Sequence, residues 1–154
     1  MATINATVSV NSNDLTSNAL SLSKTMTMTK AGTNTGLELT SGLVRRTFAS
    51  TNHVDLVTAG AQNYGTPTAT KANKIYIKNT GSDSTQYFEV GLGTSSGSGT
   101  PTTDAIGGAH LAIGRLYGGD WMLIPFDGSA TTGDITVAPS TSEKMTVEYI
   151  IFFE

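Results

Sequence analysis

The sequence predicts an all-β protein: a single antiparallel β-sandwich of jelly-roll type, built from about nine or ten short strands. Three observations carry this. Thr and Ser supply 26 and 15 of the 154 residues and Gly another 17, and all three are poor helix formers. Apolar and polar residues alternate along much of the chain, the period-two signature of a strand with one buried face. Turn-forming Gly, Asn, Asp and Ser recur at the roughly 8–12-residue intervals of a sandwich. No solenoid or propeller repeat and no shift of composition divides the chain, so one domain over 1–154 is expected, with an N-terminal arm at about 1–12.

Taken in order, residues 2–10 form a weak strand. In 18–30, Leu20, Leu22, Met26 and Met28 hold the even positions while Ser and Thr fill most odd ones. This is a long strand with a buried even face, and Lys24 marks a rim. A turn over 32–36 leads to a short strand at 37–39, and weaker strands lie at 44–48 and 54–58. Ile75 and Ile77 alternate with Tyr76 and Lys78 in 73–79. Residues 80–84 then turn the chain into 86–92, where Phe88, Val90 and Leu92 share a face. That strand–turn–strand pair reads as the clearest hairpin. Residues 91–103 form a long Gly, Ser and Thr loop. Strands at 110–116, 121–126, 135–138 and 144–153 complete the series, with Tyr117-Gly118-Gly119-Asp120 and Asp127-Gly128 supplying turns.

The last strand sets Met145, Val147, Tyr149, Ile151 and Phe153 in one apolar row, while its other row begins polar at Thr146 and Glu148 and ends apolar at Ile150 and Phe152. A strand apolar on both faces is central in a thick core or covered by another chain. Phe152 and Phe153 are therefore expected to be buried, by the outer sheet or by a neighbouring copy.

Nine Lys and Arg against twelve Asp and Glu give a net charge of −3, without the basic patch of a duplex-binding protein, so no nucleic-acid partner is expected. Arg45-Arg46 and the trio Lys71, Lys74 and Lys78 are the local concentrations of positive charge, read as solvated faces or protein contacts. No apolar run reaches membrane-spanning length and the N-terminus lacks a signal-peptide pattern, so neither membrane nor secretion is expected. The absence of cysteine excludes disulfides, thiolate zinc sites and a cysteine nucleophile.

Catalytic chemistry is sparse, and the chain is not expected to be an enzyme or to hold a cofactor or metal. His53-Val54-Asp55 places a base and a carboxylate on one strand face, a pattern that also suits a structural hydrogen-bonded pair. His110 has no second ligand nearby. The glycines over 91–97 are spaced G-x-G-x-x-x-G with no helix following, so they form a loop and not a nucleotide cradle. Asp83, Asp104, Asp127 and Asp134 sit in or beside turns. Trp121, where a Gly-Gly-Asp turn enters an apolar strand, reads as a core lid, a subunit contact or a sugar-stacking platform, in that order.

The runs 75–82 (Ile-Tyr-Ile-Lys-Asn-Thr-Gly-Ser), 87–91 (Tyr-Phe-Glu-Val-Gly), 117–126 (Tyr-Gly-Gly-Asp-Trp-Met-Leu-Ile-Pro-Phe), 134–137 and 145–150 resemble small β-structured virion proteins of tailed bacteriophages. The likeness covers about residues 70–154. It implies a capsid decoration (cement) protein, a jelly roll that sits as a symmetric oligomer, commonly a homotrimer, on the outer capsid surface. Such a protein is assembled in the host cytoplasm and bridges copies of the major capsid protein through loops and an N-terminal arm. Weak contacts repeated by symmetry then become strong avidity. A tail, baseplate or fibre subunit is the alternative within the virion, but a fibre usually needs a repeat or coiled-coil stalk. A host-glycan-binding module, with Trp121 and Tyr117 exposed, is the alternative outside it. Arg45, Arg46, Trp121, Phe152 and Phe153 are the interface candidates.

Overall fold

The computed structural model describes residues 3–14, 20–29, 39–58, 73–93, 111–126 and 134–153. Where one domain over 1–154 with an arm at 1–12 is expected, the chain divides into two compact units, Met1–Glu38 and Leu39–Glu154. The first holds β1 (Thr3–Ser12) and β2 (Leu20–Thr29), zipped antiparallel over ten residue pairs. Each strand spends its ladder on the other, so β2 belongs to a two-stranded ribbon and not to a sandwich sheet. Alternation sorts the ribbon cleanly. One face carries Asn5, Thr7, Asn11, Ser21, Thr25 and Thr27, linked across the strands by Thr7–Thr25 (2.8 Å), Thr27–Asn5 (2.9 Å) and Ser21–Asn11 (3.1 Å) hydrogen bonds. The other carries Ile4, Ala6, Val8 and Val10 opposite Met28, Met26, Lys24 and Leu22. The expected burial of the even row holds at Met28 but fails at its other end, where Leu20 and Leu22, with Val8 and Val10 on the same face, are exposed.

The second unit is a two-sheet β-sandwich. Its strands are β3 (Leu39–Thr40), β4 (Val44–Phe48), β5 (Val54–Val57), β6 (Lys74–Asn79), β7 (Tyr87–Leu92), β8 (Leu111–Tyr117), β9 (Trp121–Pro125), β10 (Ile135–Pro139) and β11 (Met145–Phe153). One sheet runs β5-β10-β7-β8; the other runs β3-β11-β6-β9, with β4 also on β11. The pairs β7·β8, β6·β9, β5·β10 and β4·β11 nest inside one another, all antiparallel. A long folded ribbon of four such pairs, rolled so that β10 meets β7 and β11 meets β6, is the jelly-roll arrangement.

This topology corrects the hairpin expected over 73–92. Strands β6 and β7 lie in different sheets, so residues 80–86 cross the sandwich instead of returning beside β6. Seven residues comfortably span the ~10 Å between packed sheets.

Between the sheets, Ile75, Ile77, Phe88, Val90, Val137, Val147, Ile151 and their neighbours form one core. Phe48 of β4 meets Phe88 of β7 edge to face, with ring centroids 5.8 Å apart. Asn79, 1% exposed, ties the layers together with polar bonds. Its Nδ2 donates to the Leu116 carbonyl (3.0 Å) and its Oδ1 accepts from the Gly81 amide (2.9 Å). Asn79→Ala leaves both backbone groups without that partner and is expected to cost about 1–3 kcal/mol, read as a lower urea midpoint at unchanged slope.

Candidate functional site: an outer sheet face and an end notch

The inward row of β11 (Met145, Val147, Tyr149, Ile151, Phe153) is buried throughout, so alternation turns Thr146, Glu148, Ile150 and Phe152 to the opposite face. Register extends that outer face in rows across the sheet. Arg45, Glu148, Lys78 and Trp121 form one row. Ile150, Tyr76 and Leu123 form the next, and Thr40, Phe152, Lys74 and Pro125 the last. The first row is electrostatic: Arg45 Nε donates to Glu148 Oε2 at 2.7 Å, and the Thr47 and Thr146 hydroxyls hydrogen-bond beside it at 2.8 Å. Trp121 is 49% exposed and leans on Tyr76 with centroids 6.1 Å apart. Burial first, and then the Glu148 carboxylate, raise the Tyr76 phenol above its ordinary pKa, so it stays neutral and can donate a hydrogen bond.

The turns joining β6 to β7, β8 to β9 and β10 to β11 meet at one end of the sandwich. The Asn79 amide donates to the Asp120 carbonyl (3.0 Å), the Gly119 amide to the Asn79 carbonyl (3.1 Å) and the Thr80 amide to the Thr146 carbonyl (3.1 Å). Between the first and last of these turns opens a notch of about 310 Å³ lined by Asn79–Asp83, Gln86 and Lys144–Thr146. Asp83 accepts from the Thr85 hydroxyl and amide, both at 2.7 Å, and these bonds, the hydroxyl's foremost, hold its carboxyl below the usual carboxylate range. Glu143 accepts from Gln86 Nε2 at 2.7 Å. Gly118 passes close against the notch residue Asp83, and a Cβ on Gly118 would lie 2.7 Å from the Asp83 carbonyl oxygen. Gly118→Ala must displace backbone and is expected to cost about 1–3 kcal/mol. Gly114→Ala, with open space around the added carbon, is the near-neutral control in the same thermal melt.

The five interface candidates fall into two groups. Arg45, Trp121 and Phe152 occupy the outer face; Arg46 and Phe153 do not. Arg46 lies on the inward row of β4 beside Phe48, its guanidinium 5.3 Å from that ring, and its Nη1 donates to the Asp55 carbonyl on β5 at 2.7 Å. It therefore bridges the two sheets. Phe153 belongs to the core. Phe152, at an outward position, is only 7% exposed within the single chain; it lies between Thr40 and Lys74 in the register, and no neighbouring copy is needed to bury it. Trp121 is not the core lid expected of it. Its indole lies outside because Met122 and Ile124 take the parity that packs on the core.

Lys78, read from the sequence as a solvated face or protein contact, lies on this face; Tyr76, Leu123 and Ile150 were not among the candidates, and their alternation with core residues was the available signal. His53 is half-buried just before β5, and Asp55 on β5 is also half-buried. His110, Lys71, Asp104, Asp127 and most of the loop over 91–103 lie outside the described residues. Trp121 is the sole tryptophan, so dilute protein is expected to emit as a hydrated indole open to acrylamide quenching; a blue-shifted, protected emission would place the ring elsewhere.

Comparison with known proteins returns no matching family model and no matching curated protein. Among solved structures, the chain is similar to the crystal structure of Yersinia pseudotuberculosis-derived mitogen (YPM). The identity is 9% and the TM-score 0.38, over 77% of this chain and 87% of that one. A likeness at that level assigns no function.

Proposed function

We propose that this chain is a structural protein of a tailed-phage virion, a decoration protein that binds the outer capsid shell as a symmetric oligomer and bridges major capsid protein subunits. The observation that carries the reading is the ribbon. Val8, Val10, Leu20 and Leu22 form a contiguous exposed apolar patch on a two-stranded element of a kind that is marginal by itself in water. Such an arm gains stability by laying its apolar face on a partner, and a ten-residue ribbon reaches about 33 Å at ~3.3 Å per residue. The phage-like runs over 75–150 supply the class of partner.

The test is co-sedimentation with capsids purified without the protein. Wild type is expected to bind to saturation, and Val10→Ser/Leu22→Ser to bind at least tenfold more weakly with the sandwich still folded. Equal binding by that variant, or no binding by wild type, contradicts the reading. The exposed Trp121 beside Tyr76 favours a second reading, a glycan-stacking platform. It predicts a saturable Trp121 fluorescence change with host-surface oligosaccharides.

A further inference from the structure

The outer face and the end of the sandwich carry opposite charge excesses. Trp121 stands out as a knob beside Lys78, its register partner. Glu148, the acid in the same row, is already engaged by Arg45 at 2.7 Å, so the row keeps a positive excess on a chain whose net charge is −3. At the end of the sandwich, Asp83, Asp120 and Glu143 set three exposed carboxylates against Lys144. Asp83 and Lys144 lie in the lining of the 310 Å³ notch, and Glu143 sits beside it on Gln86.

We propose that copies of this chain associate through these two surfaces, the Trp121–Lys78 knob of one seated in the Asp83–Glu143 notch of the next. The residues suit it. A half-exposed Trp is the commonest kind of energetic anchor at an interface, and the flanking charges set register and encounter rate. Knob and notch are neighbours on each copy, since Trp121 follows Asp120 and Lys78 precedes Asn79 of the notch wall. Such a head-to-tail contact forms a ring where its rotation closes and a filament where it does not. The inference deepens the decoration reading by naming the self-contact of its oligomer, but its geometry stands without the capsid.

Sedimentation velocity over a concentration series, at low salt, tests it. Wild type is expected to associate reversibly. Lys78→Glu, Glu143→Lys and Trp121→Ala should each weaken association roughly tenfold or more, and the double variant Lys78→Glu/Glu143→Lys should restore it by exchanging the charges. High salt should weaken the wild-type contact. Should a charge reversal fail to fold, Lys78→Gln and Glu143→Gln carry the same comparison. A wild type that keeps single-chain mass at the highest concentration overturns the proposal. So does an oligomer indifferent to these variants, or a double variant that stays apart. None of these outcomes bears on capsid binding, which the co-sedimentation reads separately.

Discussion

Phe88→Ala is expected to lower the unfolding free energy by about 3–5 kcal/mol, the range for truncating a fully buried phenylalanine. Phe88 has no exposed surface and sits where β7 of one sheet meets Phe48 of β4 in the other. Its ring is packed against the opposite layer, so truncation opens a cavity between two sheets whose strands are tied by long-range ladders and cannot slide together to fill it. A typical domain holds only about 5–15 kcal/mol in total, and the variant should therefore unfold at a much lower urea concentration with an unchanged slope. Ile113→Ala is the matched control, since Ile113 is 42% exposed and lies at the register shift between β7 and β8. A loss below about 1 kcal/mol at Phe88 would mean that the two sheets do not pack as described.

Phe152→Asp is expected to abolish folding instead of merely dissolving an assembly. The side chain is buried by its own chain at the end of β11, one residue from the core side chain of Phe153. A carboxylate at that position gives up its hydration in a site filled by an aromatic ring, a penalty of several kcal/mol that its register neighbour Lys74 offsets only in part. Circular dichroism should show loss of the sheet signal, while Phe152→Leu should retain it. A folded Phe152→Asp chain with native stability and reduced association would mean instead that a neighbouring copy covers this residue.

Strand identity was largely legible in the sequence because alternation is local physics. Ile75/Ile77, Phe88/Val90 and the Met145–Phe153 row all face the core that their spacing implies. Pairing was less legible. The Asp83 turn is real, with its carboxylate capping Thr85, yet nothing in 80–86 specifies whether the chain returns beside β6 or crosses to the other sheet. The partner of β4 lies about a hundred residues on, in β11, and only the rolled topology brings the two together.

The contact face was legible in part. Arg45 and Arg46 are adjacent on a strand, so one must point outward and one inward, and spacing alone does not say which. Trp121 opens a strand that is apolar at both parities, with Met122 and Ile124 packed on the core and Leu123 outside. Its placement depends on β6, which presents Ile75 and Ile77 inward and Tyr76 outward. In the ribbon, the even row of β2 is apolar as read. Its ladder, however, is spent on β1, and Leu20 and Leu22 at one end of that row are exposed.

The most direct test of the central proposal, that this chain is a shell component of a virion, is its copy number per particle. Quantitative mass spectrometry of purified virions, referenced to the major capsid protein, measures it. The account predicts a copy number of the same order as the major capsid protein. A handful of copies would place the chain at a tail or vertex, and absence from the particle would contradict a virion role altogether.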